Sequence, residues 1–168
     1  MKVSVKLLKE FFLEMAADTY SSGSKVDRVP ERFWEREFRR QRGKLTYIDR
    51  YVVNGEYSGG STLILAENTP VWLMQYHGWC KNDDESVLLF LKKALNIAYS
   101  AGEFRGGRGP EYFHDGDSGF TYTNVPLPTY YRLGDFTNFQ GRERIWRLPQ
   151  SDDIFWHRYQ GMLLFSPE

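Results

Sequence analysis

Cysteine is almost absent from this sequence: Cys80 stands alone among 168 residues. A single thiol closes no disulfide within the chain and builds no cysteine zinc site. Histidine is scarce too, with only His77, His114 and His157. They show no HExxH or His-x-His spacing, so no metal site is expected, and no cofactor motif is complete. Net charge is missing, because 22 Lys and Arg balance 22 Asp and Glu. That balance excludes a chain-wide electrostatic grip on nucleic acid or on an anionic membrane. No apolar run approaches the roughly 18 residues of a membrane span. The opening Met1 to Lys6 carries no apolar signal-peptide stretch. Together these absences predict a cytoplasmic protein without membrane contact, for which nucleic acid is not the expected partner.

Aromatic residues, by contrast, are plentiful: 12 Phe, 11 Tyr and 5 Trp make up 17% of the chain. With 26% charged residues, this excludes a disordered polypeptide and predicts a packed core. Leu7, Leu8, Phe11, Phe12 and Met15 fall on one helical face, with Ser4 as N-cap, so a helix is predicted over 6–19. A second is predicted over 86–100, behind Asp83, Asp84 and Glu85, whose charges suit a helix N-terminus. Residues 33–53 read as a hairpin turning at Gly43, and Asn54-Gly55 is another turn. Strands are predicted over 61–66, 71–77, 120–124, near Tyr130, over 141–146 and over 154–159. Between the second helix and residue 120 lies a glycine-rich stretch.

The chain also resembles itself. Val71-Trp72-Leu73-Met74-Gln75-Tyr76-His77-Gly78 and Ile154-Phe155-Trp156-His157-Arg158-Tyr159-Gln160-Gly161 share an order of β-branched, aromatic, Tyr and Gly positions. At the same offset, Leu7 to Phe12 falls on Phe90 to Leu95, and Tyr47 on Tyr130. The pattern predicts one α+β domain, 1–168, of two pseudo-repeated units, about 4–80 and 84–165. Each would be a helix followed by three or four antiparallel strands.

Several segments carry a family resemblance. They include Tyr47-Ile48-Asp49-Arg50-Tyr51, Pro70 to Gly78, and Phe104-Arg105-Gly106-Gly107-Arg108-Gly109-Pro110. Gly134-Asp135, Phe139 to Ile145, and Tyr159-Gln160-Gly161 continue it. The chain resembles an uncharacterised bacterial family catalogued as a domain of unknown function. Its members occur alone or behind helix-turn-helix domains in XRE-type regulators. The resemblance implies a regulatory setting but no activity. A Gly-x-Glu step in both halves belongs to that pattern. Here the first half reads Gly59-Gly60-Ser61-Thr62 and has no acid.

Candidate site residues follow from residue type and strand phase. Trp72, Met74 and Tyr76 share one strand face, and Phe155, His157 and Tyr159 share the equivalent face. Such stripes either pack as core or line a pocket in which Trp72, Tyr76 and Tyr159 stack on a ligand and His157 orients it. His77 and His157 differ in phase and belong on opposite faces. Asp49 sits between Tyr47 and Tyr51 on a common face, where it either accepts their hydroxyls or binds a cation, or else stands exposed on an edge strand. The loop 104–110 could hold an anion with its backbone N–H groups, Arg105 and Arg108. Alternatively it is a turn whose arginines pair with Glu143 or Asp135. Glu143, between Arg142 and Arg144, is either a base or a structural ion-pair partner. Residues 28–44 hold seven basic residues against three acidic ones. With Phe33, Trp34 and Phe38 interleaved, they read either as a single-stranded nucleic-acid surface or, the favoured reading, as a solvated hairpin with cross-strand Arg–Glu pairs. Cys80 reads as an incidental thiol. Ser58 and Ser61 do not form a Gly-x-Ser-x-Gly elbow.

The function this points to is a non-enzymatic small-ligand-binding or sensory module with an aromatic-lined pocket. One alternative is a small hydrolase or transferase using Glu143, His157 and Arg108. The other is a protein-interaction or inhibitor protein using the 28–44 hairpin.

Overall fold

The structure, a computed structural model, describes residues 3–27, 34–127, 135–149 and 152–166. Helix α1 spans Val5–Asp18, capped by Ser4, whose hydroxyl accepts from the Leu7 N–H at 3.2 Å. Four strands follow: β1 Glu35–Arg42, β2 Leu45–Asn54, β3 Tyr57–Ala66 and β4 Thr69–Cys80. Helix α2, Glu85–Ser100, starts at Asp84, whose carboxylate accepts from the Ser86 N–H at 2.8 Å. Then come β5 Tyr112–Asp115, β6 Phe120–Leu127, β7 Asn138–Arg147 and β8 Asp153–Leu163.

The expected pair of helix-plus-strand units is not what forms. All eight strands lie in a single antiparallel sheet, in the order β1-β2-β3-β4-β8-β7-β6-β5. The physical reason is the seam between β4 and β8, which are hydrogen-bonded edge to edge from Trp72↔Leu163 to Cys80↔Phe155. Pairing satisfies the backbone groups that two separate sheets would each have left open there. One wide sheet, with two helices packed together on one of its faces, replaces two stacked units. The strand expected near Tyr130 lies outside the described residues, as do Arg28 to Phe33 of the basic segment.

Both predicted helices appear, α1 shifted one residue towards the N-terminus and α2 one residue longer, and most strands extend beyond their predicted ends. The turn at Glu67 and Asn68 is tight, with both residues at positive φ, so β4 begins at Thr69. Strand β5 emerges inside the glycine-rich stretch, where no strand was expected.

The core lies between the helices and the sheet. Leu8, Phe11, Phe12 and Met15 of α1 and Val87, Phe90, Leu91, Ala94 and Leu95 of α2 are buried there. They meet Ile64, Trp72, Met74, Tyr122, Ile145 and Phe155 from the sheet. Trp72 is its centre, fully buried and stacked on Phe136 at 5.0 Å and Phe139 at 5.6 Å between centroids. Its indole N–H donates to the Phe136 carbonyl at 3.0 Å. No described helix is long and apolar enough to cross a membrane.

Candidate functional site

The helices do not cover the sheet completely. Between them lies a cavity of about 440 Å³, lined by Ala16, Thr19 and Tyr20 from the α1 side and by Leu88, Lys92, Leu95 and Tyr99 from the α2 side. Its floor is the sheet, with Tyr47, Asp49, Tyr51, Ser58, Thr62, Met74, Tyr76 and His157, and Arg108 enters from the loop before β5. The size falls within the range of small-molecule pockets, and aromatic rings share the lining with convergent polar groups.

Strand register explains how polar groups come together on that floor. Ser58 pairs with Gly78, Gly78 with His157, His157 with Glu143, and Glu143 with Asn124. These five form one row across five strands. Neighbouring strands lie about 4.8 Å apart, so Ser58 and His157 are two spacings from each other. They meet because Gly78 between them has no side chain. A Cβ at Gly78 would collide with His157 Cδ2 and the Trp156 carbonyl. The imidazole leans across this gap, and its Nε2 lies 3.2 Å from Ser58 Oγ.

On its other side the ring meets a buried charge cluster. His157 Nδ1 is 3.2 Å from Glu143 Oε1. Arg108 donates to the same oxygen through Nη2 and, at 2.9 Å, through Nε. Tyr122 donates its hydroxyl to Glu143 Oε2 at 2.6 Å. Glu143 has no solvent exposure, and Arg108 and His157 are 6% exposed. Burial by itself would raise the Glu143 carboxyl. The Arg108 guanidinium and His157 more than offset that and hold it down at about 2. Burial pushes the His157 imidazole below its ordinary value, and the nearby Arg108 charge adds to this against the pull of Glu143. The ring is therefore neutral at pH 7. Nδ1 lies 3.2 Å from Glu143 Oε1 and 3.4 Å from Arg108 Nη2; in the tautomer that puts the Nδ1 hydrogen on the carboxylate, Nε2 presents a lone pair to Ser58.

Asp49 is a second buried acid, 5% exposed. Its Oδ1 accepts from Tyr76 at 2.8 Å and from Thr62, its cross-strand neighbour, at 3.0 Å. Tyr76 reaches it over Gly60, where a Cβ would sit 2.8 Å from the Tyr76 hydroxyl. The hydroxyls on Asp49 are thus those of Tyr76 and Thr62, and not those of its strand neighbours Tyr47 and Tyr51. Among the described residues no hydrogen bond goes to Oδ2. Desolvation raises the Asp49 carboxyl to about 6, although Tyr76, Thr62 and Arg108 lower it.

The glycine-rich loop has a steric role. Gly106 and Gly107 have positive φ, and a Cβ at either would strike Tyr159 or crowd Met74 and Phe12. One at Gly109 would strike the Tyr122 ring. The glycines let the loop lie flat on these rings and deliver Arg108 to Glu143, the structural pair rather than the anion cradle. Arg105 stays at the surface with Glu103 at 2.9 Å and Glu111 at 3.7 Å.

The structure therefore gathers Asp49, Tyr76, Arg108, Glu143 and His157 into one site. Trp72 has no surface to offer a ligand. Tyr159 is buried outside the cavity, its hydroxyl on Asn124 Oδ1 at 2.6 Å and its ring over Gly141. His77 is exposed on the opposite sheet face. No group of three or more metal-ligating side chains occurs among the described residues. Ser58, Thr62, Tyr122 and Asn124 are site residues that the sequence alone did not single out. Strand phase could have found Thr62, opposite Asp49. Nothing in the spacing marks Ser58. Cys80 is buried, and desolvation raises its thiol to about 11. Among the described residues of the basic segment 28–44, Arg39 pairs with Glu37, Arg40 with Asp18, Arg42 with Glu14 and Lys44 with Glu67.

Residues 49–164, which include every strand residue named in this floor except Tyr47, match the profile of a family described as a domain of unknown function, DUF5680. No curated protein and no solved structure matches the chain.

Proposed function

The chain belongs to the DUF5680 family, and from the cavity that its sheet carries we propose that it is a small-ligand-binding module of the sensory or regulatory kind. The observation that carries this reading is the space between helices and sheet into which Asp49, Tyr76 and His157 face. Tyr20, Tyr47, Tyr51 and Tyr99 supply flat apolar walls. Arg108 is neutralised by Glu143, so Asp49 is the buried charge left in the floor, while Arg36, Glu56, Asp83, Glu85 and Lys92 are less buried charged members of the lining. A ligand with a planar part and a hydrogen-bond donor or ammonium group for Asp49 Oδ2 suits this balance. Residence in the cytoplasm and a place beside helix-turn-helix regulators belong to the same proposal.

A thermal-shift screen with aromatic amines and nucleosides tests it. A ligand at 100 times its Kd adds about 2.7 kcal/mol of stability. For a domain of this size that raises Tm by about 5–10 °C. Ala16→Leu, which fills the cavity from α1, is expected to abolish the shift. A shift that survives Ala16→Leu would place the ligand elsewhere and end this reading.

A further inference from the structure

We propose that Ser58, His157 and Glu143 form a nucleophile–base–carboxylate relay that transfers the acyl group of a small carboxylic ester to water; this rests on the cavity being a ligand pocket. The carrying observation is the cross-strand row. Three strands, β3, β8 and β7, supply a hydroxyl, an imidazole and a carboxylate in that order, with Gly78 clearing the path. The links are both 3.2 Å, Oγ to Nε2 and Nδ1 to Oε1. That is the geometry by which a base activates a hydroxyl while a carboxylate fixes the base's tautomer. Ser58 and His157 both face the cavity, so a bound carbonyl can reach the hydroxyl. Glu143 lies behind His157 with no exposure and is a positioning residue, held in turn by Arg108 and Tyr122.

The step balances as follows. Ser58 Oγ bonds to the ester carbonyl carbon while His157 Nε2 takes the hydroxyl proton. The bond from that carbon to the alcohol oxygen breaks, and the leaving alkoxide takes the proton from Nε2. Water then adds to the acyl-serine with His157 as base. The acyl–Oγ bond breaks, Ser58 recovers its proton, and a carboxylic acid leaves.

The test uses the full chain and p-nitrophenyl acetate. A release of nitrophenol proportional to enzyme is expected, with one acetyl group found on Ser58 by peptide mass spectrometry. Ser58→Ala removes the adduct, and His157→Gln slows acylation at least about 100-fold, as loss of a general base does. In a Cys80→Ser background, Ser58→Cys gives a thiol that iodoacetamide alkylates faster than it does in the same protein with His157→Gln. That comparison moves only if the imidazole acts on position 58. Acetylation elsewhere, an adduct unaffected by His157→Gln, or equal alkylation of the two cysteine proteins would overturn the relay. The pocket reading is separable, because the unaltered protein still shows a ligand-induced thermal shift that Ala16→Leu removes if the pocket stands and only the relay is wrong.

Discussion

Replacing Glu143 with Gln keeps the shape of the side chain and removes its charge. Arg108, 6% exposed, is then left as a buried cation without a counter-charge. Breaking a buried pair from one side costs about 3–5 kcal/mol. Proton linkage gives a figure of the same order. The Glu143 carboxyl lies at about 2 instead of 4.5, which corresponds to on the order of 3 kcal/mol of folding stability at neutral pH. In a domain of this size the Tm should fall by about 6–20 °C. Urea unfolding followed by tryptophan fluorescence reads this directly, since Trp72, Trp79, Trp146 and Trp156 lie in the sheet. The second arm adds Arg108→Met. Removing both charges lets an apolar stem fill the space. The double variant should recover to within about 2 kcal/mol of wild type, far above the sum of the single losses. The pH dependence has a fixed sign. Because the folded carboxyl is depressed, its contribution is complete above about pH 5 and is lost as pH falls from 4.5 towards 2. The Gln variant lacks that acid-side loss. A single variant within about 1 kcal/mol of wild type, or strict additivity in the cycle, would refute the view that Arg108 and Glu143 depend on each other.

Three further outcomes follow from the same geometry. Asp49 titrates the other way: its folded carboxyl is raised to about 6, so its own contribution is most favourable below about pH 4 and falls as pH climbs through 6. Asp49→Asn should flatten that slope and be the more stable protein at pH 8 by up to about 3 kcal/mol, with urea melts across pH as the measure. Gly78→Ala should cost about 3 kcal/mol or more by overpacking against His157 and the Trp156 backbone; a near-native Tm would contradict the glycine gap. Cys80, with its thiol at about 11 and 5% exposure, should react with Ellman's reagent at pH 8 only after urea is added.

Periodicity revealed most of the elements. The stripe Leu8, Phe11, Phe12, Met15 marks α1, and the alternation through Tyr47, Asp49 and Tyr51 marks β2. It could not reveal the sheet. Alternation tells which face a residue occupies, but the partner of a strand edge depends on backbone hydrogen bonds that any side chain permits. The β4–β8 seam was therefore invisible, and an internal likeness was read as separate units. Strand β5 hid among glycines that are there to clear the Tyr159, Tyr122 and Phe12 rings. In the site, Glu143 and His157 stood out as polar positions in aromatic strands, and Asp49 as an acid among tyrosines. Trp72, chosen on the same grounds, turned out to be the middle of the core. The Ser58–His157 contact depends on register across three strands and on the missing side chain of Gly78, neither of which is written in local spacing.

The seam has a consequence for how the chain is made. Tyr76 and Tyr159 are cross-strand neighbours, yet almost the whole second half of the sequence separates them. Contacts this distant require a large loop to close before they return any energy, which places them among the slow events of folding. Until β8 is synthesised, β4 offers a 12-residue unpaired edge, with the aromatic stripe Trp72, Tyr76 on one of its faces. A ribosome-bound or truncated product ending after α2 would present that edge to other copies of itself. Strand β8 is thus the molecule's own chaperone: a segment made long after β4 covers an edge that could otherwise aggregate.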